Sequence, residues 1–301
     1  MQDLNVLCAR SREGSELVSS LNVDESFLDV RGCKLFYQRL GSGPATILVH
    51  GGMVLDSSNF LPHVGPLAQF LELVIYDQCG RGRSSDRPGW DNVKASIWDD
   101  VEDLAGLVND LGLGKINVIG HSWGGIIAGL FASKYPNAVE RLVMIAPVGA
   151  RYATWQKPWI TNTIAMLPPN NRKEFEDVLK DRELRKKDPQ AYFTRYFTAI
   201  HPSWFGNQSW ASKVPVHTVR AQTGLAVWDS LRDYDVRQDL RKVAARTLIV
   251  QGTKDAIPLG STQEIKDLIT GSRLELIDGV GHYPFIEVND RFTKLVKDFI
   301  L

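Results

Sequence analysis

Ser122 lies in Gly120-His121-Ser122-Trp123-Gly124, a hydroxyl with a glycine two residues to either side. Such a hydroxyl becomes a nucleophile only when a base takes its proton, and the base must itself be held by a third group. Gly-x-Ser-x-Gly between an apolar strand pattern and an apolar helix pattern predicts a sharp turn that strains the serine and exposes its oxygen. The glycines stand where the chains approach too closely for a Cβ. Of the six histidines, His282 in Gly279-Val280-Gly281-His282 follows the last strand pattern and is expected on the same carboxyl edge of the sheet as Ser122. His121 adjoins the serine and is expected to point away from it. His63, His201 and His217 fall in polar or cap-like contexts, and His50 belongs to the first loop. Asp255, just beyond another strand pattern, is placed to fix the imidazole tautomer. The rival position, Ala146-Pro147-Val148-Gly149-Ala150, offers no acid, and Glu287 in the last helix pattern reads as a surface charge. Acyl chemistry on Ser122 also needs two N–H donors for an oxyanion, expected from Trp123 and from Gly52 in His50-Gly51-Gly52.

These groups need a sheet to carry them. Short apolar, β-branched runs at 45–49, 71–76, 116–119, 141–146, 247–250 and 273–277 are the pattern of strands buried on both faces. Two further strand-like stretches, 26–30 and 34–40, flank the turn Arg31-Gly32-Cys33. Between the strands, Ser96 and Asp99 form a capping box ahead of Ile97, Val101, Leu104, Val108 and Leu111 at helical spacing. A second helix carries Ile126 to Phe131 and stops near Pro136. Ser261 and Glu264 suggest another cap, and Phe285, Val288, Phe292, Leu295 and Phe299 form the stripe of a last helix. This alternation predicts a mainly parallel, doubly wound α/β sheet. From 148 to 233 the character changes to charged helical patterns (171–187, 188–200) and aromatic-rich loops without a strand. The expectation is a helical cap inserted into one α/β core made of 26–147 and 234–301, with 1–25 as an extension. Tyr152, Trp210 and Trp228 belong to the cap's own packing, while Trp155, Trp159, Trp204 and Met53 are candidates for a substrate wall.

Thirty-five basic and 35 acidic residues cancel, so no overall field draws the chain to nucleic acid or an anionic membrane. No apolar run approaches the ~20 residues that span a bilayer, and the first twenty residues lack the basic start and apolar core of a signal peptide. A cytoplasmic location is expected. Cys8, Cys33 and Cys79 show no C-x-x-C, which argues against a disulfide framework and a zinc site. Asp77, Arg81 and Arg83 lack the phosphate-loop pattern and read as structural, and no motif implies a cofactor or a metal.

Together, His50-Gly51-Gly52, Asp77-Gln78-x-Gly80-Arg81-Gly82-Arg83-Ser84, Gly120 to Gly125, Asp255 and Gly281-His282 resemble the α/β-hydrolase superfamily over residues 26–301. They are most similar to its proline iminopeptidase group, which implies an inserted helical cap and removal of N-terminal residues. The first loop continues Met53-Val54 where that group reads H-G-G-P-G. The stretch 199–205 has no acid where the group's cap glutamates hold the substrate's amine, and an ammonium ion is costly to bury without a carboxylate. The expectation is therefore a cofactor-independent serine hydrolase for a small, largely apolar ester, thioester or amide. Three alternatives stay open: an aminopeptidase, a carbon–carbon hydrolase or acyltransferase, and a hydrolase-like small-molecule receptor.

Overall fold

In the computed structural model, residues 22–89, 96–221, 226 and 234–301 are described. Most of the expected extension, Cys8 and Trp228 lie outside them. Strand β1 (Asp24–Val30) already includes the last two residues assigned to that extension, and it pairs antiparallel with β2 (Cys33–Gly41). Their turn residues Arg31 and Gly32 have φ of 49° and 81°, the mirror-image turn whose twist suits a tight hairpin. Strands β3 (Ala45–Val49), β4 (Glu72–Tyr76), β5 (Ile116–His121), β6 (Val139–Ile145), β7 (Arg246–Gly252) and β8 (Arg273–Ile277) complete an eight-stranded sheet. Its order is β1-β2-β4-β3-β5-β6-β7-β8. β2 runs antiparallel to β4, and the six strands from β4 to β8 are mutually parallel.

Successive residues of the central strands feed opposite cores, as period-two alternation requires. Ile47, Val49 and Val118 pack with α1 (Ile97–Asp110) and α2 (Trp123–Lys134). Leu48, Ile119 and Val143 pack on the other face with Phe292 and Val296. The chain leaves β3 toward β4 on one side and returns to β5 on the other. The two loops therefore diverge at the carboxyl ends of β3 and β5, which opens a crevice there. Val49 is registered with Gly120, so His50-Gly51 and His121-Ser122 emerge side by side.

After β6, four helices follow one another up to residue 200: α3 (Tyr152–Met166), α4 (Pro169–Lys180), α5 (Arg182–Lys187) and α6 (Pro189–Ile200). The first was expected as loop, because Pro158 sits inside it and the period is masked by aromatics. The expected 171–187 helix breaks at Asp181, whose carboxylate accepts from Leu184 N at 2.8 Å and starts α5. After the short α7 (Arg237–Leu240), α8 (Leu259–Leu268) begins behind Pro258. Ser261 is thus inside its first turn, donating to Pro258 O, and is no cap. The expected last helix is two, α9 (Pro284–Glu287) and α10 (Asn289–Ile300); α10 buries Phe292, Val296 and Ile300, with Leu295 and Phe299 partly buried against the same core.

The cysteine expectation is corrected. Cys33 and Cys79 form a disulfide across Cα atoms 6.0 Å apart, because the antiparallel pairing of β2 with β4 brings together residues whose spacing shows nothing. No described helix is long and apolar enough to cross a membrane.

Candidate active site

Ser122 sits between β5 and α2 with φ 55° and ψ −118°, a conformation costing a non-glycine residue about 1–3 kcal/mol. The surroundings impose it. A Cβ on Gly120 would lie 2.2 Å from Gly124 O, and one on Gly124 would lie 2.2 Å from Val49 O. Ser122 N donates to Ile145 O at 2.8 Å, tying the turn to β6. A Cβ on Gly51 would come within 2.8 Å of the Ser122 Cβ, so the first loop presents bare backbone beside the hydroxyl. That loop is itself anchored: the fully buried Arg81 donates to Met53 O at 3.0 Å and forms a two-point ion pair with Asp100 at 2.8 and 3.1 Å. Gln78 holds the preceding His50 from both sides, its backbone N–H donating to Nε2 and its amide to His50 O.

His282 Nδ1 lies 2.9 Å from Asp255 Oδ2, and Asp255 Oδ1 accepts from Ile257 N at 2.9 Å. A neutral imidazole donating from Nδ1 to Asp255 carries its lone pair on Nε2, the atom available to a proton from a substrate or a hydroxyl. His282 and Ser122 line the same cavity. His121 packs against His282. Its Nε2 is 3.0 Å from His282 O, and the two rings are 4.6 Å apart. Burial, and secondarily the neighbouring His282, hold its pKa well below the ordinary value, so it is a neutral donor to that carbonyl. His201, which caps the C-terminus of α6, and His217 are both buried. Burial lowers them to about 4 and about 3, and His217 contacts Asn59 and the Tyr283 hydroxyl. Glu287 is not a surface charge: it is half-buried and accepts from the backbone N–H groups of Gly281, Asn207 and Gly206.

The cavity encloses roughly 620 Å³ of empty space, its open mouth included. Gly52, Met53, Trp123, Trp155, Trp159 and Trp204 all line it. The sequence carried little sign of the other wall residues, Leu55, Asn59, Val148, Ile257 and Tyr283. Phe197 and Ile200, three apart on α6, belong to that helix's apolar stripe and were findable. Trp155 is pinned by donating to the Tyr234 hydroxyl at 2.6 Å. Among the described residues the lining includes no carboxylate, lysine or arginine, and no group of three His, Cys, Asp or Glu is placed to hold a metal.

Residues 44–288 match the α/β hydrolase fold family, and the chain belongs to it. It is 30% identical over 272 residues to a 2-hydroxy-6-oxo-2,4-heptadienoate hydrolase of Pseudomonas putida, covering 87% of this chain and 90% of that one. It is also 25% identical to a proline iminopeptidase of Lactobacillus helveticus, over 93% of this chain and 98% of that one. An esterase structure from Exiguobacterium antarcticum superposes with a TM-score of 0.71 at 20% identity, covering 92% of this chain and 99% of that one.

Proposed function

We propose that this chain is a serine hydrolase in which Ser122 is the nucleophile, His282 the base and Asp255 the residue that orients it. The observation that carries this reading is the Asp255–His282 hydrogen bond of 2.9 Å facing the same cavity as a serine held at φ 55°. Ser122 Oγ attacks the acyl carbon as His282 takes its proton. His282 then returns that proton to the leaving group, and the acyl-enzyme forms. Water, deprotonated by His282, attacks the same carbon and releases the acid and Ser122. The N–H groups of Trp123 and Gly52 receive the oxyanion in both steps. The helices between β6 and β7 act as a cap that excludes water and selects by shape.

A wall of tryptophan, phenylalanine, leucine and isoleucine suits a small, largely apolar and uncharged ester, thioester or amide. Without a described carboxylate in the wall, an N-terminal ammonium would be desolvated unpaired, which disfavours an aminopeptidase. The experiment is labelling by a fluorophosphonate followed by turnover of activated acyl esters. One equivalent on Ser122 with steady hydrolysis is the expected result; no labelling and no turnover would refute it.

A second reading, hydrolysis of a carbon–carbon bond by the same residues, is favoured by the 30% identity to the Pseudomonas putida enzyme. A 2-hydroxy-6-oxo dienoate consumed faster than every ester tested would establish it.

A further inference from the structure

The loop that carries His282 and the segment after α6 are interlocked at backbone level. His282 N donates to Trp204 O at 2.7 Å. A Cβ on Gly281 would fall 2.4 Å from that same carbonyl, and one on Gly206 would fall 2.1 Å from Gly279 O. Glu287, in α9, closes the junction. Its Oε1 accepts from Gly281 N at 2.7 Å and from Gly206 N at 3.2 Å, and its Oε2 accepts from Asn207 N at 3.0 Å. A glutamate that merely capped its own helix would bond to N–H groups nearby in sequence. Two of these three donors lie 81 and 80 residues away, while the third immediately precedes His282. Trp204 lines the cavity from the far side of the junction.

We propose that Glu287 is a positioning residue that locks the His282 loop to the Trp204 segment, so that the base and one wall of the cavity hold a single fixed relation. The inference rests on His282 being the base. Backbone N–H groups converging on one carboxylate are the charge-assisted kind of hydrogen bond, about twice as strong as neutral ones. Desolvation raises the Glu287 carboxyl above its ordinary value, and the three N–H groups oppose it. The junction is thus strongest with the carboxylate ionised.

The test compares Glu287→Gln and Glu287→Ala with the unaltered protein, counting active sites by fluorophosphonate and measuring kcat and KM per labelled site. Loss of positioning should lower kcat per site about 10- to 100-fold in Glu287→Ala, with KM rising as Trp204 shifts. Glu287→Gln, which keeps one acceptor oxygen, should recover part of both. A purely structural role would lower thermal stability and the number of labelled sites while leaving kcat per site unchanged, and that result overturns the proposal. A second readout is the Nδ1–H proton resonance of His282, expected to broaden or shift in Glu287→Ala. If the unaltered protein neither labels nor turns over ester, the serine-hydrolase reading fails. The junction is then judged on that resonance alone, and an unchanged signal rejects it.

Discussion

At the sheet rim a single methyl group has no room: a Cβ on Gly120, Gly124 or Gly252 would meet a carbonyl oxygen at 2.2, 2.2 and 2.0 Å. Across the cavity the walls are side chains meeting side chains, with Trp155 and Trp159 rings 6.0 Å apart and Phe197 and Trp204 also 6.0 Å apart. The rim is built by backbone apposition, which tolerates no substitution, whereas the aromatic wall is built by packing, which tolerates repacking. The contrast means that the chemistry and the choice of substrate can vary separately. The two regions should then fail differently when altered.

The largest expected effect is at the rim. Ser122→Ala should lower kcat/KM for an activated ester on the order of 10⁴-fold or more, with the thermal midpoint little changed because the backbone is untouched. Turnover close to that of the unaltered protein would place the chemistry elsewhere. Next, Gly124→Ala should cost stability at or above the upper end of the roughly 1–3 kcal/mol that overpacking brings, read by urea denaturation. Gly125→Ala is the control, since its Cβ would meet Pro147 Cβ at 3.1 Å. Equal stability of the two alanine variants would contradict a rim closed by backbone contact.

The rim's placement was legible in the sequence for the same reason that it is intolerant. Ala45–Val49 is uncharged and, apart from Thr46, apolar because β3 is buried on both faces, and the glycines around Ser122 mark contacts that only a missing side chain permits. The wall was legible in part. Trp155, Trp159 and Trp204 are large apolar residues in a polar stretch and stood out, but α3 did not, since Pro158 interrupts its pattern. Asn59 and Tyr283 reach the cavity through loops whose course depends on distant packing. Glu287 finds two of its three partners 81 and 80 residues away, and Cys33 finds Cys79 through strand order. Local pattern reports what a residue's own element needs; it is silent on contacts made by topology.

Acid should act on rim and wall alike, since burial lowers His50, His63 and His121 as well as the two histidines beyond β6. His201 and His217 are held neutral by burial at about 4 and about 3, against about 6.5 in an unfolded chain. The unfolded state therefore takes up protons first, and stability falls as pH drops from 6.5 toward 4. The loss amounts to up to about 2 kcal/mol per histidine between pH 6.5 and 5. Urea midpoints at pH 7 and pH 5 measure it, and His201→Phe should flatten the dependence. A stability independent of pH over that range would mean that neither ring is buried as neutral imidazole.

The smallest effect is expected where the wall is pinned. Trp155 donates to the Tyr234 hydroxyl, which in turn donates to Gly149 O. Trp155→Phe removes the first bond and part of the wall, yet leaves Tyr234 satisfied by Gly149. The cost should be about 1 kcal/mol, the net worth of one hydrogen bond, visible as a small fall in thermal midpoint. Because Trp155 lines the cavity and hydrogen-bonds to Tyr234 rather than to the Asp255–His282 pair, KM for bulky acyl esters should change several-fold. The kcat for a small activated ester should stay within about threefold, since only binding common to ground and transition states is altered. A kcat reduced 100-fold with KM unchanged would show that this tryptophan shapes the transition state, and the division between an unyielding rim and an adjustable wall would have to be given up.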